Sequence, residues 1–127
     1  AAMRGASRLK VVLVSHCNHA NELSDESNVA FRALAANGVT LFNQSVILAG
    51  VNARSDTLIA LSKGLFDQGV LPYYLHLPDA VAGTAHFDVP IPDAQALVAE
   101  MQAQLPGYLV PRLVREEPGE DSKTRYA

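Results

Sequence analysis

The sequence predicts an α/β protein built on a parallel sheet. Three observations point there. Val-rich apolar runs of strand length recur along the chain; a polar loop and then a helix-spaced segment follow each of them; and Gly or Pro punctuates the end of every helical segment. The first run, residues 9–15, reads as a strand buried on both faces. Ser24 is a good N-cap for the helix that follows, with Asp25 and Glu26 in its first turn. Val29, Ala33 and Leu34 are spaced for one buried face, with Ala30 beside them, and Asn37-Gly38 supplies the stop.

The second unit repeats the order. Residues 39–46 read as a strand and Gly50 and Asn52 mark a loop. Ser55-Asp56 open a helix with Leu58, Leu61 and Leu65 on one face, ended by Gly69. In the third unit, residues 70–77 form the strand, with Pro72 near its start because proline cannot donate to a ladder. A long loop over 78–92 precedes a helix carrying Ala94, Leu97, Val98, Met101 and Leu105, which stops at Pro106-Gly107. A last strand over 108–114, interrupted by Pro111, leads into a Gly-containing turn that bears Lys123. The expected division is a flexible segment 1–8, the βα units and final strand over 9–117, and a lysine turn with a tail over 118–127. An open doubly wound sheet and a portion of a (β/α) barrel both fit, and both gather function at the carboxyl ends of the strands.

Composition narrows the classes. A chain of 127 residues can bury a real core. The net charge of −3, with no basic cluster, argues against a nucleic-acid surface. No apolar run approaches the ~20 residues of a membrane helix. The opening residues lack the apolar stretch of a signal peptide. The single cysteine, Cys17, excludes an internal disulfide and fits a reducing compartment, so the expected location is the cytoplasm.

Polar residues collect at the predicted strand ends. Ser15, His16, Cys17, Asn18, His19, Asn21 and Glu22 follow the first strand, and Asn43, Gln44 and Ser45 end the second. Tyr73, Tyr74, His76, Asp79 and His86 lie on and after the third, with alternation placing one tyrosine ring on each face. Arg115, Glu116, Glu117 and Lys123 come last. A lysine placed there offers an amine for covalent work on a carbonyl compound. Asn43-Gln44 reads either as loop-backbone partners or as an amide pair for a polar ligand. His16 and His19 read as loop histidines bonded to backbone, or as zinc ligands.

These segments, taken in register, resemble the lysine 2,3-aminomutase family. The motifs are SHCNHANE from Ser15, NQSV from Asn43, PYYLH from Pro72, AHF from Ala85, GYLVP from Gly107, and the run from Pro118-Gly119 to Lys123-Thr124. The likeness is nearest to the bacterial branch that makes β-lysine for elongation factor P. It implies a radical S-adenosylmethionine isomerase that uses pyridoxal phosphate and a [4Fe–4S] cluster to convert L-α-lysine to β-lysine. By motif position, Lys123 resembles the lysine that forms the Schiff base with pyridoxal phosphate. His16 and Gln44 resemble S-adenosylmethionine contacts. Asp79 and Glu116 resemble the two acids that hold the substrate's ε-ammonium, a pair that favours lysine over glutamate.

The same resemblance marks a departure. The family's Cys-x-x-x-Cys-x-x-Cys cluster motif does not occur in this sequence. The three βα units look like the C-terminal half of a partial (β/α)6 TIM-like barrel. The expectation is therefore a C-terminal portion with no metal ligands of its own, inactive alone, and prone to self-associate or to require a missing N-terminal half. A non-catalytic module binding pyridoxal phosphate or a nucleoside is the alternative, followed by a zinc hydrolase using His16 and His19.

Overall fold

The structure, a computed structural model, describes residues 9–78, 88–116 and 123–127. Strands and helices alternate in chain order: β1 (Val12–Ser15), α1 (Asp25–Ala36), β2 (Thr40–Val46), α2 (Ser55–Asp67), β3 (Leu71–His76), α3 (Ile91–Gln104), β4 (Arg112–Glu116) and β5 (Lys123–Arg125). One five-stranded sheet results, in the order β1-β2-β3-β4-β5. The first four strands run parallel, and β5 returns antiparallel along β4. The predicted α/β class holds. The final strand starts only after Pro111, because residues 107–109 form a 3-10 turn instead. Lys123 lies on a strand where the sequence suggested a turn, with its backbone paired to that of Glu116.

The helix ends set the strands. After α1, Gly38 takes a φ of 86°, and the Val39 amide closes back on the Leu34 carbonyl. After α2, Gly69 at 84° lets Val70 do the same to Leu65. Both closures are Schellman caps, and glycine alone reaches that left-handed conformation without steric cost. Each cap delivers a buried valine, Val39 or Val70, into the core immediately before a strand.

The core lies between the sheet and the helix layer. Ile47, Leu58, Leu75, Val98, Met101 and Leu113 form its larger part, and Cys17, Leu41, Leu61 and Leu65 a second cluster beneath α1. Two expectations of burial are overturned. No residue of α1 is fully buried. Phe31 and Leu34 face the core, while Val29, Ala30 and Ala33 are exposed. The larger apolar area of Phe31 and Leu34, continuous with Leu23, turns the helix by roughly one residue from the expected face. Strand β1 is not buried on both faces either. It pairs only with β2 among the described residues, and Val12, Leu13 and Val14 are exposed at 53%, 36% and 40%. An edge strand with an uncovered face leaves even a continuous apolar run open to solvent.

Candidate functional site

Alternation along β2 separates Asn43 from Gln44. Asn43 points to the helix side and is buried. Its carbonyl oxygen accepts from Ser15 Oγ at 2.8 Å and from the Cys17 amide at 2.9 Å, and its Nδ2 donates to the Cys17 carbonyl at 3.0 Å. Asn52, equally buried, donates from Nδ2 to the Asn18 and Val46 carbonyls and accepts from the Leu48 amide. Asn18 Oδ1 accepts from the Val46 amide at 2.9 Å. Three side-chain amides thus replace backbone pairing where β1 and β2 end. They fasten the loop over residues 16–19 across the strand ends.

The rest of that loop is held from below. His19 Nδ1 accepts from the Asn21 amide at 3.1 Å and caps the 3-10 turn Ala20–Glu22. This is a backbone role, and among the described residues no group of three metal-ligating side chains converges. Glu22 accepts from the Asn18 and His19 amides. Partial burial opposes its charge, but those amides and the Cys17 thiol together outweigh it and hold its carboxyl below the ordinary range. Cys17 is buried, with its Sγ 3.3 Å from the His19 carbonyl oxygen. Burial first, then the neighbouring Glu22, pushes its thiol up to about 12. It packs in the second core cluster with Leu41, Leu61 and Leu65.

The opposite face of the sheet carries a different set of side chains. Gln44 projects there, and its amide bridges two imidazoles. Its Oε1 lies 3.0 Å from His76 Nε2, and its Nε2 lies 3.3 Å from His16 Nε2. With Asn18, Val46, Leu77 and Pro78 these residues line a cleft of about 300 Å³ at the carboxyl ends of β1–β3. The sequence marks His76 only as a strand-end residue; its offset of two from Tyr74 is the signal that sets both on one face.

A second pocket of about 340 Å³ adjoins on the same face, lined by Tyr74, Arg112, Val114, Lys123 and Arg125. Lys123 Nζ lies 5.3 Å from the centroid of the Tyr74 ring, and that ring meets His76 edge-on at 5.7 Å. A bulge adds a second ring beside it. Asn43 pairs with Pro72 but Gln44 pairs with Tyr74, so Tyr73 is an extra residue in β3. The tyrosine rings therefore do not alternate as expected. They stack at 4.1 Å, Tyr73 reaching Phe42 at 5.1 Å and lying under the Arg112 guanidinium at 5.9 Å. The hydrogen bond with Tyr73, then burial, pushes the Tyr74 phenol above its ordinary range.

Of the sequence-predicted site residues, His16 and Gln44 meet in one cleft and Lys123 lines the neighbouring one. Glu116 ends β4, its backbone opposite Lys123. Asp79 and His86 lie outside the described residues.

No family model matches the chain. Individual relatives do. It is 50% identical over 118 residues to the L-lysine 2,3-aminomutase of Escherichia coli, covering 93% of this chain and 34% of that protein. The Haemophilus influenzae protein of the same name is 47% identical over 121 residues, covering 95% and 36%. That of Clostridium subterminale is 38% identical over 114 residues, covering 90% and 27%. The chain spans about a third of the length of the curated relatives it matches. With that identity sustained across nearly all of its length, the chain belongs to the lysine 2,3-aminomutase family and corresponds to a C-terminal portion of its members.

Proposed function

We propose that this chain is the substrate- and cofactor-binding C-terminal portion of an isomerase that converts L-α-lysine to β-lysine. The observation that carries the reading is the single row Lys123, Tyr74, His76, Gln44, His16 on one face of the sheet. An amine for a carbonyl cofactor and a polar cleft for a second ligand stand side by side, as a reaction between two bound cofactors requires.

The residues fit two of the three groups the family implies. Lys123, with the Tyr74 ring beneath it and Arg112 and Arg125 lining the same pocket, suits an anionic aldehyde such as pyridoxal phosphate. When bound, that cofactor would supply a conjugated carbonyl carbon through which the nitrogen can migrate. His16, Gln44 and Asn18 give the adjacent cleft donors and acceptors without fixed charge, which suits the polar edge of S-adenosylmethionine. The third group does not fit. A [4Fe–4S] cluster takes several thiolates, and the one cysteine here is buried and protonated. The chain alone is therefore inactive, and the cluster ligands belong to a partner or preceding N-terminal half.

Two further assignments complete the reading. Asp79 and Glu116 bind the lysine ε-ammonium, and the three βα units form half of a six-unit barrel. The parallel order of β1–β4 and the exposed apolar edge at β1 support the second. The product serves modification of elongation factor P, and the enzyme works in the cytoplasm. No helix among the described residues is long and apolar enough to cross a membrane.

Incubation with pyridoxal phosphate, borohydride reduction and mass analysis tests the central assignment. One cofactor mass should be fixed on wild type and lost in Lys123→Ala. Equal labelling of the two proteins would refute it.

A further inference from the structure

Gln44 stands between two histidines, and an amide is not symmetrical. Its oxygen only accepts and its nitrogen only donates. His76 Nε2, 3.0 Å from Gln44 Oε1, must therefore carry a proton. His16 Nε2, 3.3 Å from Gln44 Nε2, must offer a lone pair. The two rings are held in opposite tautomers by one side chain. Rotating the amide end for end would reverse both at once.

We infer that His76 is a positioning residue of the cleft: through Gln44 it fixes which nitrogen of His16 bears the proton. The asymmetry of the surroundings gives the direction. His76 is part-buried on a strand flanked by β2 and β4, with Tyr74 against its ring and the shorter of the two hydrogen bonds. His16 is exposed, on the loop after β1. The anchored end sets the amide, and the amide sets the exposed end. His16 then offers Nδ1–H as the donor to a ligand, with Nε2 already occupied. The cleft is thereby prepared for a ligand group that accepts a hydrogen bond at His16, a carboxylate or hydroxyl oxygen rather than an N–H. The consequence for affinity rests on the reading that S-adenosylmethionine occupies this cleft; the tautomer assignment does not.

Nitrogen-resolved NMR of the histidine rings in the full 127-residue chain at pH 8 tests it. Wild type should show His16 protonated on Nδ1 and His76 on Nε2. In His76→Phe the amide loses its anchor, and His16 should revert to the Nε2–H form that free imidazole prefers. His76→Gln, whose amide can still donate to Gln44 Oε1, should keep His16 on Nδ1. A merely structural role for His76 would leave the His16 tautomer unchanged. In parallel, S-adenosylmethionine should bind His76→Phe about fivefold more weakly than wild type, the size of one neutral hydrogen bond, and His76→Gln within about twofold. A wild-type His16 protonated on Nε2, or the same tautomer in wild type and His76→Phe, overturns the inference. The assigned tautomers, switching as stated but without S-adenosylmethionine binding to wild type, support the relay and overturn the ligand reading.

Discussion

Lys123 Nζ lies 5.3 Å from the centroid of the Tyr74 ring, so the strand that bears Lys123 and the strand that bears His76 meet through one aromatic face. The bulge at Tyr73 adds a second ring to this face. Without the extra residue, one of the two tyrosines would face the helix layer, and the stack beneath Arg112 and Lys123 would lose a ring.

The role of the ring can be measured. An ammonium over an aromatic face gains about 0.5–2 kcal/mol, chiefly from the ring quadrupole and not from the hydroxyl. Tyr74→Phe should therefore trap pyridoxal phosphate at Lys123 to within about twofold of wild type. Tyr74→Leu should lower the trapped fraction about three- to tenfold at sub-saturating cofactor. Equal trapping in both variants would remove the ring from the account.

Asn43 makes a thermodynamic prediction. It is buried with both amide atoms engaged, and Asn43→Ala strips partners from the Cys17 backbone in an enclosed site. The expected loss is about 2–4 kcal/mol, read as a lower urea midpoint at unchanged slope. Gln44→Ala, on the solvent-facing side of the same strand, should cost less than about 1 kcal/mol while weakening ligand binding in the cleft.

The contrast between those neighbours shows how far the sequence reaches. The βα order, the Ser24 cap and the glycine stops were legible because they rest on local chemistry: capping oxygens, left-handed glycines and apolar runs. The site was legible as a collection of polar residues at strand ends. Its arrangement was not. Whether Asn43 or Gln44 faces the core depends on which side the helices cover, and the bulge at Tyr73 is a matter of pairing between strands. The exposed state of β1 was hidden for the same reason: its apolar run is common to central and edge strands, and only the neighbours distinguish them. Strand β5 was missed because three residues leave no period to read.

Cys17 should resist alkylation. A thiol moved from 9.0 to about 12 carries about a thousandfold less thiolate near neutral pH, before burial slows access further. Native protein should react with iodoacetamide far more slowly than protein in urea. Reaction at the unfolded rate would show the loop over residues 16–19 to be open in solution.

Glu22 gives the same loop an acid limit. Its carboxyl is held below its ordinary 4.5 in the fold, so the charged form is favoured by folding. That contribution is fully present above about pH 4.5 and is lost as pH falls through the lower folded value. Wild type should lose stability over this window more steeply than Glu22→Gln. The difference should be small, because Glu22 is exposed and solvent screens its hydrogen bonds. Parallel acid profiles would assign the loop's stability to the asparagines alone.

The exposed edge bears on assembly. Val12 and Val14 share the open face with Phe42 and Gln44, and β1 pairs on one side only among the described residues. An apolar edge of this kind recruits another strand. The isolated chain should sediment as concentration-dependent oligomers, and Val12→Lys with Val14→Lys should shift it toward monomer by charging the edge without touching the helix-side core. The same double substitution should abolish any aminomutase activity restored by adding the relatives' N-terminal portion in trans, because self-association and complementation would compete for one surface. Oligomers lost with complementation intact would place the joining surface elsewhere on the chain.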